Sequence, residues 1–245
     1  MSIKYVFMDR ATRRQQLLHS VEVSIFRSLR RGETLRFADL MRPTGLTSDS
    51  FKFYVRGLVA CGWVQKLSSG YQLTPSGKEL ANNLDDAKRT VQKQPKLSVV
   101  VIAERVTPDG TEYLFQRRLR QPYRGRWGLL SGPVAWGESL EQAAARELAK
   151  QTGLSAVCEV RSFARLLDRS IDETLLEDKL FAVVVATDMR GELSNDWTGG
   201  QNGWLALSTL EAQPDYFPHT RALLELAASG QPYASFEPHY DAAEY

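Results

Sequence analysis

Residues 132–154 read GPVAWGESLEQAAARELAKQTGL. Ser139 is placed to cap a helix, and Gln142, three residues on, completes a capping-box pattern. Within the helix Leu140, Ala144 and Leu148 recur at four-residue spacing and form an apolar row. Glu147 borders that row. Lys150 and Gln151 follow it by three and four positions, so the three share a patch. A carboxylate at the edge of a buried stripe needs a cation, a metal ion or hydrogen-bond donors. Gly132 and Gly137 permit a tight approach to the helix, whose first turn exposes N–H groups that favour anions.

Before this run, Leu97–Ala103 (LSVVVIA) is rich in β-branched residues and predicts a buried strand. Pro108–Thr111 predicts a turn and Glu112–Arg117 a returning strand. A basic, aromatic loop, RRLRQPYRGRWG (117–128), then leads into the quoted residues. Beyond them, strands are expected at Glu159–Ala164, Leu180–Ala186 and Gly203–Ala206. Helices are expected from Ser208 and over His219–Ala228. Strands before and after helices imply an α+β domain with a mixed sheet.

The quoted run resembles the Nudix box, G-x5-E-x7-R-E-U-x-E-E-x-G-U with U apolar. Gly132, Glu138, Arg146, Glu147, Leu148, Gly153 and Leu154 fall in register, and RGRWGLLSG before it is similar to the family's approach to the box. The resemblance covers roughly residues 97–228. It implies an α/β/α sandwich, and hydrolysis of nucleoside diphosphates linked to another group with Mg²⁺ or Mn²⁺ held by box glutamates. It also implies that Arg146 pairs with Glu138 as a restraint on the loop.

Two departures fall on that chemistry. Lys150 and Gln151 replace the adjacent glutamate pair, and Pro133 after Gly132 has no N–H to offer. Hard divalent cations want charged oxygen ligands, and here only Glu147 remains on the helix as a catalytic and metal-holding group, a weak or absent site. Glu138, Glu141, Glu173, Glu177 and Asp178 are further candidates, the last three from an acidic loop expected at SIDETLLED (170–178). Lys150 has three readings: a phosphate-binding ammonium, a partner of Glu147, or a solvated lysine. The ligand-binding set expected is Arg117, Arg118, Gly132, Glu138, Arg146, Glu147, Lys150 and Gln151. Arg120 and Arg124 fit either phosphate contact or a solvated loop. Tyr123 and Trp127 read first as packing residues.

The other half of the chain has a different character. Residues 1–96 carry 17 Lys and Arg against 8 Asp and Glu, a balance of +9; residues 97–245 carry 14 against 21, a balance of −7. A basic half points to a polyanion, although basic surface also serves solubility. Helical periodicity runs from Thr12 to about Leu29 through Leu17, Leu18, Val21 and Ile25. A short helix is expected at Leu35–Met41, ended by Pro43 and Gly45. A second begins at Thr47 or Ser48, with Phe51, Val55, Leu58 and Val59 inward. Trp63–Lys66 and Tyr71–Leu73 flank a hairpin turn at Ser68-Ser69-Gly70. Thr74-Pro75 opens a last helix.

That order resembles the winged helix-turn-helix families of bacterial regulators, carried by LTSDSFKFYVRGLVACGWV and YQLTPSGKEL. The resemblance implies that the helix from Thr47 enters the major groove of double-stranded DNA. The DNA-facing residues are then Ser48, Ser50, Lys52, Phe53 and Arg56 on the helix, with Lys66, Ser68 and Ser69 on the hairpin. Such modules also bind proteins. DNA reading implies a homodimer.

The expected organisation is a winged helix-turn-helix domain over 1–84, a linker over 85–96, a Nudix-like domain over 97–228, and an acidic, aromatic, poorly ordered tail over 229–245. No apolar run approaches the ~20 residues that span a bilayer, and MSIKYVFMDR lacks the apolar core of a signal peptide. Cys61 and Cys158 fit two buried, reduced thiols, so a cytoplasmic protein is expected, with no membrane partner. In its components the chain resembles the Nudix-related transcriptional regulators of NAD metabolism, although here the winged helix comes first. That resemblance implies a DNA-binding regulator that senses a nucleotide-like small molecule such as ADP-ribose and needs no cofactor. The alternative is a Nudix hydrolase with an accessory domain, which would use Mg²⁺ or Mn²⁺.

Overall fold

The computed structural model describes residues 18–31, 34–85 and 89–245. Contacts divide the chain into two compact units, Met1–Lys93 and Gln94–Tyr245.

In the first unit, α1 (Ser20–Arg31) turns Ile25, Phe26 and Leu29 inward. Thr12–Leu17, expected to begin this helix, lie outside the described residues. The short α2 (Phe37–Met41) continues as a 3-10 turn over Arg42–Thr44, and Gly45 at φ +66° ends it. In α3 (Ser48–Ala60), Phe51, Val55 and Leu58 are buried. Thr47 precedes α3 in an extended conformation, but its hydroxyl meets Ser50 instead of capping the helix. β1 (Val64–Leu67) and β2 (Gly70–Leu73) form an antiparallel hairpin. Thr74 caps α4 (Pro75–Asn82) by accepting from the Gly77 N–H at 3.1 Å. Gly77 is obligatory here, because a Cβ would overlap the Trp63 carbonyl. Trp63, Phe26, Phe51 and Leu40 lie together in one core.

The stretch expected as a linker is partly structured. β3 (Leu84–Asp85) pairs with β4 (Thr90–Val91), while Asp86–Lys88 lie outside the described residues. The reason is apolar: Leu84 and Val91 both pack on the helical core.

The second unit is built on a mixed sheet of nine strands among the described residues. Its strands are β5 (Lys96–Thr107), β6 (Gly110–Arg118), β7 (Trp127–Pro133), β8 (Ser155–Ser170), β9 (Leu175–Arg190), β10 (Asp196–Trp197), β11 (Gly200–Leu205), β12 (Tyr233–Phe236) and β13 (His239–Tyr240). The order is β10-β11-β6-β7-β5-β9-β8-β12, with β13 also beside β8. β5 and β9 are parallel, as are β12 and β8; the other neighbours along this order are antiparallel.

Alternation along β5 sends consecutive residues to two cores. Val99, Val101 and Ala103 face α5 (Leu140–Thr152), packing on Ala143, Ala144 and Leu148. Val100 and Ile102 face the other way, toward α6 (Leu207–Glu211) and α7 (Thr220–Ser229), through Leu210, Leu223 and Leu226. A sheet covered on both faces explains a strand without polar alternation.

Three expectations are corrected. SIDETLLED is not an acidic loop, because β9 already begins at Leu175 and the hairpin turn is confined to Ile171–Thr174. Nor are residues 229–245 a loose tail: Tyr233–Phe236 pair with Phe163–Leu166, and Ala234 and Phe236 pack on the core. Cys61 and Cys158 are half-buried instead of buried.

Candidate functional site

The helix α5 carries the full capping box: Ser139 accepts from the Gln142 N–H at 3.2 Å, and the Gln142 side chain accepts from the Ser139 N–H at 3.0 Å. It ends at Gly153 with φ +77°, a conformation suited to glycine. The buried face includes Glu147 and Gln151, each only 1% exposed. Glu147 thus borders the apolar row on its buried side, facing Gly132.

A buried carboxylate must be compensated, and Glu147 is compensated by the chain itself. It accepts from Arg146, and from Gln151 Nε2 at 2.6 Å; Lys150 Nζ lies 3.5 Å away. Arg146 also grips both oxygens of Glu138, at 2.7 and 2.9 Å, and the Pro133 carbonyl at 2.9 Å. Arg146 and the Ala135 N–H together hold the Glu138 carboxyl down at about 2. Gly132 faces Glu147 so closely that a Cβ would lie 2.7 Å from Oε2. Gln151 continues into a buried amide network, donating to the Ser131 carbonyl at 3.1 Å and accepting from Gln116 at 3.2 Å. Gln116 in turn donates to Asn202 at 2.9 Å.

On the α7 side of the sheet lies a cavity of about 290 Å³. Four cations line it, Lys96, Arg118, Arg120 and Lys179, against one carboxylate, Glu177. Glu177 binds Lys96, and Lys179 at 3.3 Å. Burial pushes the Glu177 carboxyl up, but Lys96 and Lys179 outweigh it and leave it lowered. Lys179 and the Tyr123 hydroxyl, the latter at 2.7 Å, share Oδ2 of the fully buried Asp168. Arg118 donates from Nε to the Pro122 carbonyl at 3.0 Å, and Arg120 stacks on Trp197 at 5.5 Å. Among the described residues neither arginine has a carboxylate partner. Burial, then Arg120, lower the Arg118 guanidinium. Tyr123, Phe181, Phe217 and Leu129 supply the apolar walls. His219 also lines the cavity, and burial, with Lys179 and Arg126 nearby, pushes its imidazole down to about 3.

The NUDIX domain family model matches residues 95–226, more than half of the chain. The chain belongs to the Nudix family. Similar solved structures include a MutT NUDIX hydrolase from Burkholderia pseudomallei, 26% identical over 55% of this chain and 98% of that one, with a TM-score of 0.44. The NUDIX domain of Shewanella oneidensis NrtR complexed with ADP ribose is 21% identical over 64% of this chain and 98% of that one, with a TM-score of 0.48. A MutT protein from Bacillus halodurans is 19% identical over 61% and 93%, with a TM-score of 0.47. Among curated proteins none matches.

Nudix catalysis calls for Mg²⁺ or Mn²⁺, and the residues present do not fit such an ion. Glu147 is enclosed by Arg146, Lys150 and Gln151. Of the other carboxylates expected as ligands, Glu138 shares Arg146 with it and is held by that guanidinium, and the remaining four do not join it. Glu177 is held by the cavity lysines, and Asp178, on the opposite face of β9, is held by Arg165 at 2.7 Å. Glu173 pairs with His239 at 3.0 Å, and Glu141 is exposed at the start of the Nudix helix. Among the described residues no group of three or more His, Cys, Asp and Glu is placed to share an ion.

The expected ligand set is thus divided. Arg118 and Gly132 line the cavity, while Glu138, Arg146, Glu147, Lys150 and Gln151 form the closed patch around the Nudix helix. Arg117 points to the opposite face of β6 from Arg118, with Nε on the Gly125 carbonyl at 3.2 Å. Lys96, Tyr123, Lys179 and His219 complete the cavity and were outside the expected ligand set. The signal for Glu177, Lys179 and Phe181 was their two-residue spacing, which puts them on one face of a strand.

In the first unit a second concave surface runs between α3 and the β1–β2 hairpin. Ser48, Lys52, Arg56, Lys66, Ser68 and Ser69 line it, as does Arg36, and no carboxylate does among the described residues. Ser50 and Phe53 lie outside it; Ser50 meets Thr47, and Phe53 meets Tyr54 edge-on at 5.6 Å. Among the described residues no helix is long and apolar enough to cross a membrane.

Proposed function

We propose that this protein is a DNA-binding regulator whose Nudix domain binds, without hydrolysing, a nucleotide-like ligand of the nucleoside-diphosphate type. The observation that carries the reading is the state of Glu147: buried, and enclosed by the chain's own donors. A carboxylate in that state has no free face for a catalytic ion. Binding without hydrolysis is supported by the cavity, where Arg118 and Arg120 offer guanidinium donors beside aromatic walls. Phosphate oxygens suit the first and a planar base the second.

DNA binding is supported by the order of helices and hairpin in the first unit, read as a winged helix, and by its groove of four cations. Such a groove suits phosphate contacts, with α3 in the major groove. A homodimer on a two-fold operator is the form that reading implies.

The test is fluorescence anisotropy of genomic DNA fragments at two salt concentrations, with and without ADP-ribose. The expected result is salt-dependent binding whose affinity ADP-ribose changes by roughly 5- to 150-fold. A parallel screen of nucleoside diphosphate derivatives with Mg²⁺ and Mn²⁺ tests the hydrolase alternative. Robust turnover that Glu147→Gln abolishes would replace the regulator reading.

A further inference from the structure

The patch around Glu147 is electrically closed. Two carboxylates, Glu138 and Glu147, meet two cations, Arg146 and Lys150. Both hydrogen-bonding directions of the Gln151 NH₂ are committed, one to Glu147 Oε2 at 2.6 Å and one to the Ser131 carbonyl at 3.1 Å. Its oxygen accepts from Gln116, and Asn202 locks the far side by donating to the Gln151 carbonyl at 2.7 Å. Gln116, Gln151 and Asn202 are all more than nine-tenths buried, so unpairing any of these amides is costly. The Gln151 nitrogen thus sits between a carboxylate oxygen and a main-chain carbonyl oxygen. Those are the two kinds of protein oxygen that hard divalent cations take.

We propose that the Gln151 amide and the Lys150 ammonium take the place of a divalent cation at this helix. Gln151 ties Glu147 to β7, so the domain folds without Mg²⁺ or Mn²⁺. An added divalent ion would meet a neutral patch with no vacant carboxylate oxygen. Trp197 links this patch to the cavity, because its ring takes Lys150 at 6.0 Å and Arg120 at 5.5 Å. The inference concerns the box alone and stands whatever the ligand or the DNA partner.

The substitution pair Lys150→Glu with Gln151→Glu adds two carboxylates and removes one cation. Four carboxylates then surround one guanidinium, a charge that a divalent ion relieves. The experiment is Mn²⁺ binding by the full chain, read by electron paramagnetic resonance, with melting temperature measured in EDTA and in Mn²⁺. The native chain is expected to leave Mn²⁺ free and to melt within about 1 °C in both conditions. The double variant is expected to bind Mn²⁺ and to gain roughly 5–10 °C at a hundredfold excess over its Kd. Native binding of Mn²⁺ that Glu147→Gln abolishes overturns the proposal. So does a folded double variant, checked by circular dichroism, that binds no Mn²⁺. Where the double variant does not fold, Gln151→Glu alone takes its place with the same expected and overturning results, and the native measurement decides independently.

Discussion

Gly132 shows how little room the box leaves. Its Cα faces the Glu147 side chain, and a Cβ would lie 2.7 Å from Oε2. Gly132→Ala must push Glu147 off Gln151 and Arg146, so a loss of about 1–3 kcal/mol is expected in denaturant unfolding. An unchanged midpoint would mean that Glu147 is not fixed there. His219 offers a test by pH. Folding keeps its ring neutral and depresses its value from 6.5 to about 3, so its contribution is complete above pH 6.5. It is lost progressively as pH falls from 6.5 toward 3, because the unfolded chain takes up the proton first. Melting temperature should therefore decline below about pH 6.5, and His219→Gln should flatten that decline. Glu138, depressed to about 2, adds its own loss only as pH falls below about 4.5. At this scale the Arg146–Glu138 pair was legible from the box pattern. The patch of Glu147 with Lys150 and Gln151 was legible from their three- and four-residue spacing, but what fixes Gln151 was not, because Gln116 and the Ser131 carbonyl reach Gln151 only through the sheet.

At the scale of elements, the features legible in the sequence are those whose cause is local. The Ser139–Gln142 box and the Thr74 cap follow from residues three apart. The β-branched run at 97–103 gave a strand, and its burial on both faces follows from α5 on one side and α6 and α7 on the other. Residues 233–236 differ for the opposite reason, because their partners, Phe163–Leu166, are distant in sequence. Residues 170–178 form a local hairpin, Arg169 opposite Leu175 and Asp168 opposite Glu177, whose acidic side chains give it the composition of a loop. The basic groove belongs to α3 and its hairpin together. Lys52→Ala and Arg56→Ala are each expected to weaken binding to all DNA sequences. Each should lower the slope of log affinity against log salt by about 0.9 if one phosphate contact is lost. Unchanged slopes in a titration of both variants would remove α3 from the interface.

For the whole molecule, the sequence by itself determined two kinds of half. One has a balance of +9 and helical periodicity with a hairpin; the other has a balance of −7, a β-branched strand and the frame of a Nudix box. These are properties of composition and short-range spacing, which the chain carries whether or not it is folded. Only the tertiary structure decided what the second half's site contains. Lys96, Arg118, Lys179 and His219 come from four separate elements, β5, β6, β9 and the turn before α7, and meet at one cavity because β5 lies between β7 and β9. The same sheet order brings Gln116 and Asn202 to Gln151 and closes the box from within. Burial then fixes the chemistry: in a dry interior each charge must find its partner within hydrogen-bond reach, and which partner arrives is set by strand order, not by spacing along the chain.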